Sequence, residues 1–500
     1  MKKTVLFYIL MIPILGFSQY ALQGDIIADA GGLTNDRFGG NSAMNASGDF
    51  IVISSIQHNS NTGKVQVYEF TMGSWTQVGS DIVGDSTGNF FGSSVAINAD
   101  GSIIAVGVPR ADGSGSARGY ARVYENNAGT WTQLGSDFIG QSDFDNLGNA
   151  VDLSADGTKV AIAASGVDTA KGEVRVYEYS GASWSQLGST LNGIVDGDRF
   201  GNSVNFNDDG TFLAIGIPFS DANGNASGTN SGQVKVYEYT SNWNQIFVDA
   251  IVGESFAFGT TVALSDSGNV LVASAPQTND PANGSGFVRV YKYNGTSNTY
   301  VFSASVVGES NSDRFGTSVA LSDDGNFLAV GAPFNDSDGT SSGKAYLYEN
   351  TSGNVWNAVS GIFNNSNVAG DLAGISVSLS DNGAYFGIGA FNATNPINSN
   401  PNAGIVSVFV DSSLLSVQGS EMNTTLVAYP NPVTDYLAIS STNNKHITSL
   451  KLYDVSGRMV YEKVASFTET TIDLSNFQNG MYMLALKSNK ETVVRKIIKQ

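Results

Sequence analysis

Between residues 36 and 410, short apolar runs alternate with polar turns at a nearly fixed rhythm. Ser318-Val319-Ala320-Leu321, the pair Asp324-Gly325 and Phe327-Leu328-Ala329-Val330 read as two short strands around a tight turn. Apolar and polar positions do not alternate cleanly in these two strands, which predicts strands covered on both faces. A third run, Val234-Lys235-Val236-Tyr237-Glu238-Tyr239, does alternate at period two, as a half-buried strand should. A fourth opens on tryptophan, as in Trp131-Thr132-Gln133-Leu134-Gly135 followed by Phe138-Ile139-Gly140.

This four-strand unit occurs seven times, anchored on Gly39, Gly92, Gly148, Gly201, Gly259, Gly316 and Gly374 at spacings of 53, 56, 53, 58, 57 and 58. Stacked neighbours must bury what one unit cannot. The hairpin pairs are Asp100-Gly101, Asp156-Gly157, Asp209-Gly210 and Asp324-Gly325, with Ser47-Gly48, Ser267-Gly268 and Asn382-Gly383 as variants. They predict two-residue turns with both central residues at positive φ. The fourth-strand pattern is missing after the seventh unit, and Leu22-Gln23-Gly24-Asp25-Ile26-Ile27 matches it instead. The expected fold is all-β: a seven-bladed β-propeller of four-stranded blades whose N-terminal strand closes the last blade. All five tryptophans share one repeat position, and the Phe of each Phe-Gly pair shares another, so both read as blade packing.

With Phe-Gly opening the unit and Gly331-Ala332-Pro333 closing the second strand, the body resembles the FG-GAP family, which forms the propeller of integrin α-subunits and of many bacterial surface proteins. Such repeats often hold calcium in the first hairpin. Here the first and last ligand positions of that cage are Ala320 and Leu328, so it is absent. The loops after the second strand offer Asp221, Asn223, Asp336 and Asp338 as candidate calcium ligands, against their reading as ordinary turn formers.

Composition fits an exported β-protein. Glycine, 58 of 500, stands well above the usual fraction of about 7%. There is no cysteine, which excludes disulfides, thiolate metal sites and cysteine nucleophiles. Residues 19–421 carry 14 Lys and Arg against 39 Asp and Glu, whereas residues 422–500 carry 9 against 6. An acidic body repels phosphate backbones and anionic lipid, so neither nucleic acid nor a membrane surface is an expected partner. Lys2, Lys3, the apolar run Val5 to Phe17 and Gly16-Phe17-Ser18 read as a signal peptide over 1–18, cut before Gln19. No later run is long enough for a spanning helix.

The body is expected over 19–410, a linker over 411–425 and a second module over 426–500. In that module Tyr429-Pro430-Asn431-Pro432, Asp454 with Gly457-Arg458, Gly480 with Tyr482, and the basic Lys496 punctuate some six or seven short strands, a small antiparallel sandwich. These motifs resemble the type A C-terminal sorting domain of type IX secretion. The resemblance implies a Sec-exported periplasmic intermediate, recognition of the module by the secretion machinery, and release or attachment at the outer surface.

Only His58 and His446 are present, so a Ser-His-Asp triad or a histidine metal site has little to draw on. The expected function is a non-catalytic binding or adhesion protein, holding a glycan or protein ligand through loops 108–118, 217–231, 276–285 and 333–342. It requires no cofactor, and calcium is the cation its loops would take. An extracellular polysaccharide-acting hydrolase or lyase and a calcium-dependent adhesin are the alternatives. A cluster of carboxylates with Arg or Tyr at one channel mouth would favour the enzyme.

Overall fold

The computed structural model describes residues 20–71, 73–112, 116–221, 230–248, 257–276, 285–352, 354–359, 368–411, 426–429, 433–441, 446–454, 459–488 and 492–499. The signal-peptide segment 1–18 lies outside them, as does nearly all of the linker. The chain divides into two compact units, 1–410 and 411–500.

The first unit consists of four-stranded antiparallel blades, one per repeat. Blade 6 shows the plan: Ser318–Leu321, Phe327–Ala332, Lys344–Ser352 and Val355–Ala358 pair in chain order from the inside outwards. The innermost strands of blades 1 to 7 are Phe38–Met44, Ser94–Ile97, Leu147–Leu153, Ser203–Phe206, Val262–Leu264, Ser318–Leu321 and Ser376–Leu379. Each packs against the next, and the seventh lies against the first, so the sheets form a ring. The outer strands of blades 4 and 5 also touch in parallel through Phe247 and Thr299. The second strands are buried on both faces, as their unbroken apolar runs predicted: Ile51–Ser55 and Leu328–Ala332 contain no exposed residue.

Closure falls to the N-terminal strand. Tyr20–Leu22 is the outermost strand of blade 7, beside Ile405–Asp411. Pairing continues as Gln23 N–H donates to Val408 O (2.7 Å) and Ile27 N–H to Val406 O (2.8 Å). Just beyond, buried Asp29 meets the Lys64 ammonium of blade 1 at 2.5 Å, and Asp81 meets it at 3.1 Å. The closing segment is thereby tied to the first blade as well as the last.

The hairpin turns correct the sequence expectation. The turn glycines, such as Gly101 (φ 76°), take positive φ, but Asp100, Asp156, Asp209 and Asp324 do not. The loop is longer than two residues: Asn98 N–H donates to Ile103 O, Gly101 N–H to Asn98 O, and Asp100 Oδ1 accepts from Ser102 N–H. One left-handed glycine suffices for such a turn. It also sits against the preceding blade, where a Cβ on Gly101 would come within 2.6 Å of Phe50.

Four tryptophans are ties between blades. The Nε1–H groups of Trp75, Trp131, Trp184 and Trp243 donate to Gln23, Val78, Leu134 and Leu187 carbonyls of the neighbouring outer strand, at 2.8–3.1 Å. Phe38, Phe91, Phe200, Phe258 and Phe315 are wholly buried, as are Leu147 and Ala373 in the same position.

Among its described residues the second unit holds seven strands in two sheets, one of three strands and one of four. Leu437, Ile439, Leu450, Leu452, Leu484 and Ile497 are among the residues that fill the space between them.

Candidate functional site

All inner strands run from the Phe-Gly face to the hairpin face, so the channel they enclose has two chemically distinct mouths. At the hairpin face one repeat position reads Ala46, Ala99, Ala155, Asp208, Asp266, Asp323 and Asp381. Its backbone forms a nearly unbroken hydrogen-bonded hoop. Ala46 N–H donates to Ala99 O, Ala99 to Ala155, Ala155 to Asp208, Asp266 to Asp323, Asp323 to Asp381, and Asp381 back to Ala46, at 2.7–3.2 Å. The missing link is made by a side chain, Asn207 Nδ2–H to Asp266 O (2.9 Å). Because the backbone closes the hoop, the side chains are free to differ: three consecutive blades carry alanine and the next four aspartate.

Carboxylate oxygens of Asp208, Asp323 and Asp381 lie within 4.8 Å of one another. All three acids line a cavity of about 320 Å³ in the channel. Burial first, then repulsion by Asp266 and Asp381, pushes Asp208 up to about 6. Burial, together with its hydrogen bond to Asp381 and that neighbour's charge, pushes Asp323 up to about 9. Asp381 is raised too, chiefly by burial. Three carboxylates this close cannot all ionise, so the group shares protons, and Asp323 is the member raised furthest. Such a cluster can share protons or hold a hard cation. Deeper in the wall, Asp152 accepts from Phe206 N–H (2.7 Å) and Asn205 Nδ2–H (3.0 Å), while Asn205 Oδ1 accepts from Leu264 N–H (2.7 Å). This seam joins blades 3, 4 and 5, and burial pushes Asp152 up to about 7.

At the opposite face, the residue before each anchor pair is Arg37, Phe90, Asn146, Arg199, Ala257, Arg314 or Leu372, and all seven have positive φ, from 54° to 64°. An L-residue pays about 1–2 kcal/mol for this region, so the fold imposes the geometry on whatever side chain stands there. Three of the seven are arginines, each over a phenylalanine: Arg37 over Phe391 (4.9 Å), Arg199 over Phe219 (5.0 Å) and Arg314 over Phe334 (4.5 Å). In blade 2 the pair is reversed, Arg110 over Phe90 at 4.9 Å.

The calcium candidates close turns. Asp221 Oδ1 accepts from Asn230 N–H (2.8 Å) and Asp336 Oδ1 from Ser341 N–H (2.6 Å), as Asp112 does from Ala117 in blade 2. Asp338 faces Ser337 Oγ at 3.4 Å, and Asn223 lies outside the described residues. The structure does not bring these acids into the three-carboxylate group, which sits at the other face. Of the cage positions judged empty, Ala320 lies on an inner strand and Leu328 is wholly buried.

His58 Nδ1 meets Asp36 Oδ2 at 2.8 Å. Repeat alignment explains the pair: in blade 6 the same positions hold Asn335 and Asp313, bonded at 2.6 Å. An asparagine fills the role, so His58 acts as a structural clip there. In the second unit Asp454 and Tyr482 are register partners, and Gly480 pairs with Lys499. Tyr482 Oη–H donates to Gln478 O, Lys496 pairs with Met483, and Tyr429 is half-exposed. Pro430, Asn431, Pro432, Gly457 and Arg458 lie outside the described residues.

Sequence reasoning missed both mouths. The signal was present in the column before each hairpin glycine pair and in the column before each anchor pair, had the seven units been compared position by position.

Residues 308–348 match the family model FG-GAP repeat, and residues 427–500 match Secretion system C-terminal sorting domain. No curated protein matches the chain in sequence. Among solved structures, RRP9 WD40 repeats align at 12% identity over 78% of this chain and 99% of that one, with a TM-score of 0.50. U3-55K aligns at 13% over 77% and 97% (0.48), and Kuenenia stuttgartiensis hydrazine synthase at 13% over 78% and 98% (0.47). At such identities the first likeness concerns the fold alone. None of the described helices is long and apolar enough to cross a membrane. The chain therefore carries FG-GAP repeat sequence in a β-propeller body and ends in a type IX secretion C-terminal sorting domain, which marks it for export to the cell surface or exterior.

Proposed function

We propose that this protein is a surface-displayed or released binding protein whose propeller holds an extracellular ligand without transforming it. The observation that carries this reading is the Phe-Gly face, where the fold displays stacked arginines and amides while His58, Asp313 and Asp336 are occupied in turns and clips. A glycan array with a parallel hydrolysis assay on the full chain tests it. Retention without product is the expected result, and product release would refute it. Export is tested by deleting 427–500, which should leave the body in the periplasm.

One observation favours an enzyme as the second reading. Asp208, Asp323 and Asp381 converge with unequal proton affinities, as paired carboxylates in glycoside cleavage do. The described residues lining that cavity include no Arg or Tyr, so half of the expected enzyme signature is present. Loss of product formation in Asp323→Asn would support this second reading.

A further inference from the structure

We propose that a groove across blades 2, 3 and 4 on the Phe-Gly face binds a saccharide through a single carboxylate-bearing sugar, at a chain end or sparsely placed along the chain. The proposal rests on the binding-protein reading above and names its site and ligand class.

The groove has a volume of about 580 Å³ and is lined by Arg110, Arg199, Phe144, Asn146, Asn149 and Asn202, among others. That volume lies within the range of about 300–1,000 Å³ usual for small-ligand sites. None of the described residues that line it is Asp or Glu, on a body where acids outnumber bases 39 to 14. Three other body arginines are paired, Arg118 with Asp143, Arg122 with Asp85 and Asp137, and Arg175 with Glu173, whereas Arg37 and Arg314 are stacked on Phe391 and Phe334 as the groove arginines are on their rings. Arg110 and Arg199 have no carboxylate partner among the described residues. Each instead lies over a ring, Phe90 or Phe219, which orients the guanidinium plane and leaves its N–H edge for an incoming acid. A planar carboxylate is the group that edge recognises in bidentate fashion.

The remaining wall suits a sugar ring. Phe144 is 63% exposed at φ 66°, an apolar platform held outward by the backbone. The amides beside it are fixed: Asn146 Nδ2–H donates to Phe144 O, Asn149 Nδ2–H to Gly201 O with its Oδ1 accepting from Ser165 N–H, and Asn202 Nδ2–H to Thr260 O. An aromatic face for C–H groups, preset amides for hydroxyls and two arginines for one acid together describe a carboxylated sugar. Densely charged polyanions are disfavoured by the acidic body around the groove.

The test uses the full chain in calorimetric titration with a glucuronate-terminated trisaccharide, its glucose-terminated counterpart, dextran sulfate and a peptide ending in aspartate. The acid-terminated sugar should bind at least about tenfold more tightly than the neutral one, as expected for losing one charge-assisted bond. Arg110→Gln with Arg199→Gln should remove that preference, and Phe144→Ala should weaken binding about tenfold. The Arg→Lys pair, which keeps charge but loses the planar fork, should retain part of it. It also serves as the folding-neutral variant should the Gln pair melt early.

Equal binding of both sugars, no binding of either, or unchanged binding in the paired variants would overturn the proposal. So would tighter binding of the peptide, which would mark a protein-docking site, or of dextran sulfate. Array binding that ignores the arginine variants would overturn this site and leave the binding-protein reading standing. Product release would remove that reading instead.

Discussion

The two mouths of the channel are built from the same repeat yet carry opposite chemistry. At the hairpin face, four aspartates and three alanines share one position on a hoop held by backbone hydrogen bonds. At the Phe-Gly face, arginine, asparagine, phenylalanine, alanine and leucine share one left-handed position. In both places the main chain meets its own bonding needs, so the side chain is spared a structural task and can vary. Contrast the Phe two residues after Asp36, Asp198 or Asp313, which varies only among apolar residues because it fills a wholly buried space. In a propeller, freedom to acquire chemistry is greatest where the backbone closes the ring.

The hardest way to break this comparison is to open the ring on which both mouths depend. Lys64 and Asp29 are both almost fully buried. Lys64→Met would leave Asp29 charged and unpaired, at about 3–5 kcal/mol of stability, whereas Lys64→Met with Asp29→Asn should recover most of that loss. Thermal unfolding of the two variants measures the difference, and equal melting temperatures would show that the closing segment is not held by this pair.

The acidic mouth predicts a pH dependence with a definite sign. Asp208 and Asp323 are raised to about 6 and about 9, above the unfolded value. The folded chain therefore binds more protons than the unfolded one. Their contribution is fully present below about pH 4 and is lost as pH rises through 6 to 9. The melting temperature should fall between pH 5 and pH 9, on a scale of roughly 1 °C per kcal/mol for a unit of this size. Asp323→Asn, which supplies a permanent N–H donor, should flatten the curve. A curve unchanged by that substitution would mean the cluster is not the titrating element. Adding a divalent cation to the full chain sharpens the same comparison. A rise in melting temperature that vanishes in Asp208→Asn with Asp381→Asn would place the cation at this mouth, away from the Asp221 and Asp336 loops.

The smallest effects test the blade ties. Trp131→Phe removes one indole bond to Val78 O, worth about 1 kcal/mol. Among the described residues the Nε1–H of Trp356 has no partner, so Trp356→Phe should be close to neutral by chemical denaturation.

Much of this architecture was legible in the amino-acid order. Repeated Phe-Gly pairs, hairpin glycines and double-buried second strands are local requirements, so they appear as residues at fixed spacing. The orphaned fourth strand announced closure by Leu22 to Ile27, because a propeller cannot leave that edge bare. The sorting module was legible for the same reason, as a run of local motifs. What reading along the chain did not deliver was convergence. Asp208, Asp323 and Asp381 stand more than fifty residues apart, and each looks like an ordinary turn acid in its own unit. Only the ring brings their oxygens together and withholds water, which makes their proton affinities diverge. Likewise Arg110 and Arg199 belong to different blades, and only the curvature of the wheel sets them on one groove without a carboxylate between them. Period and turn chemistry act over a few residues and are written in order. Charge and cavity act through space, and the tertiary structure alone decides them.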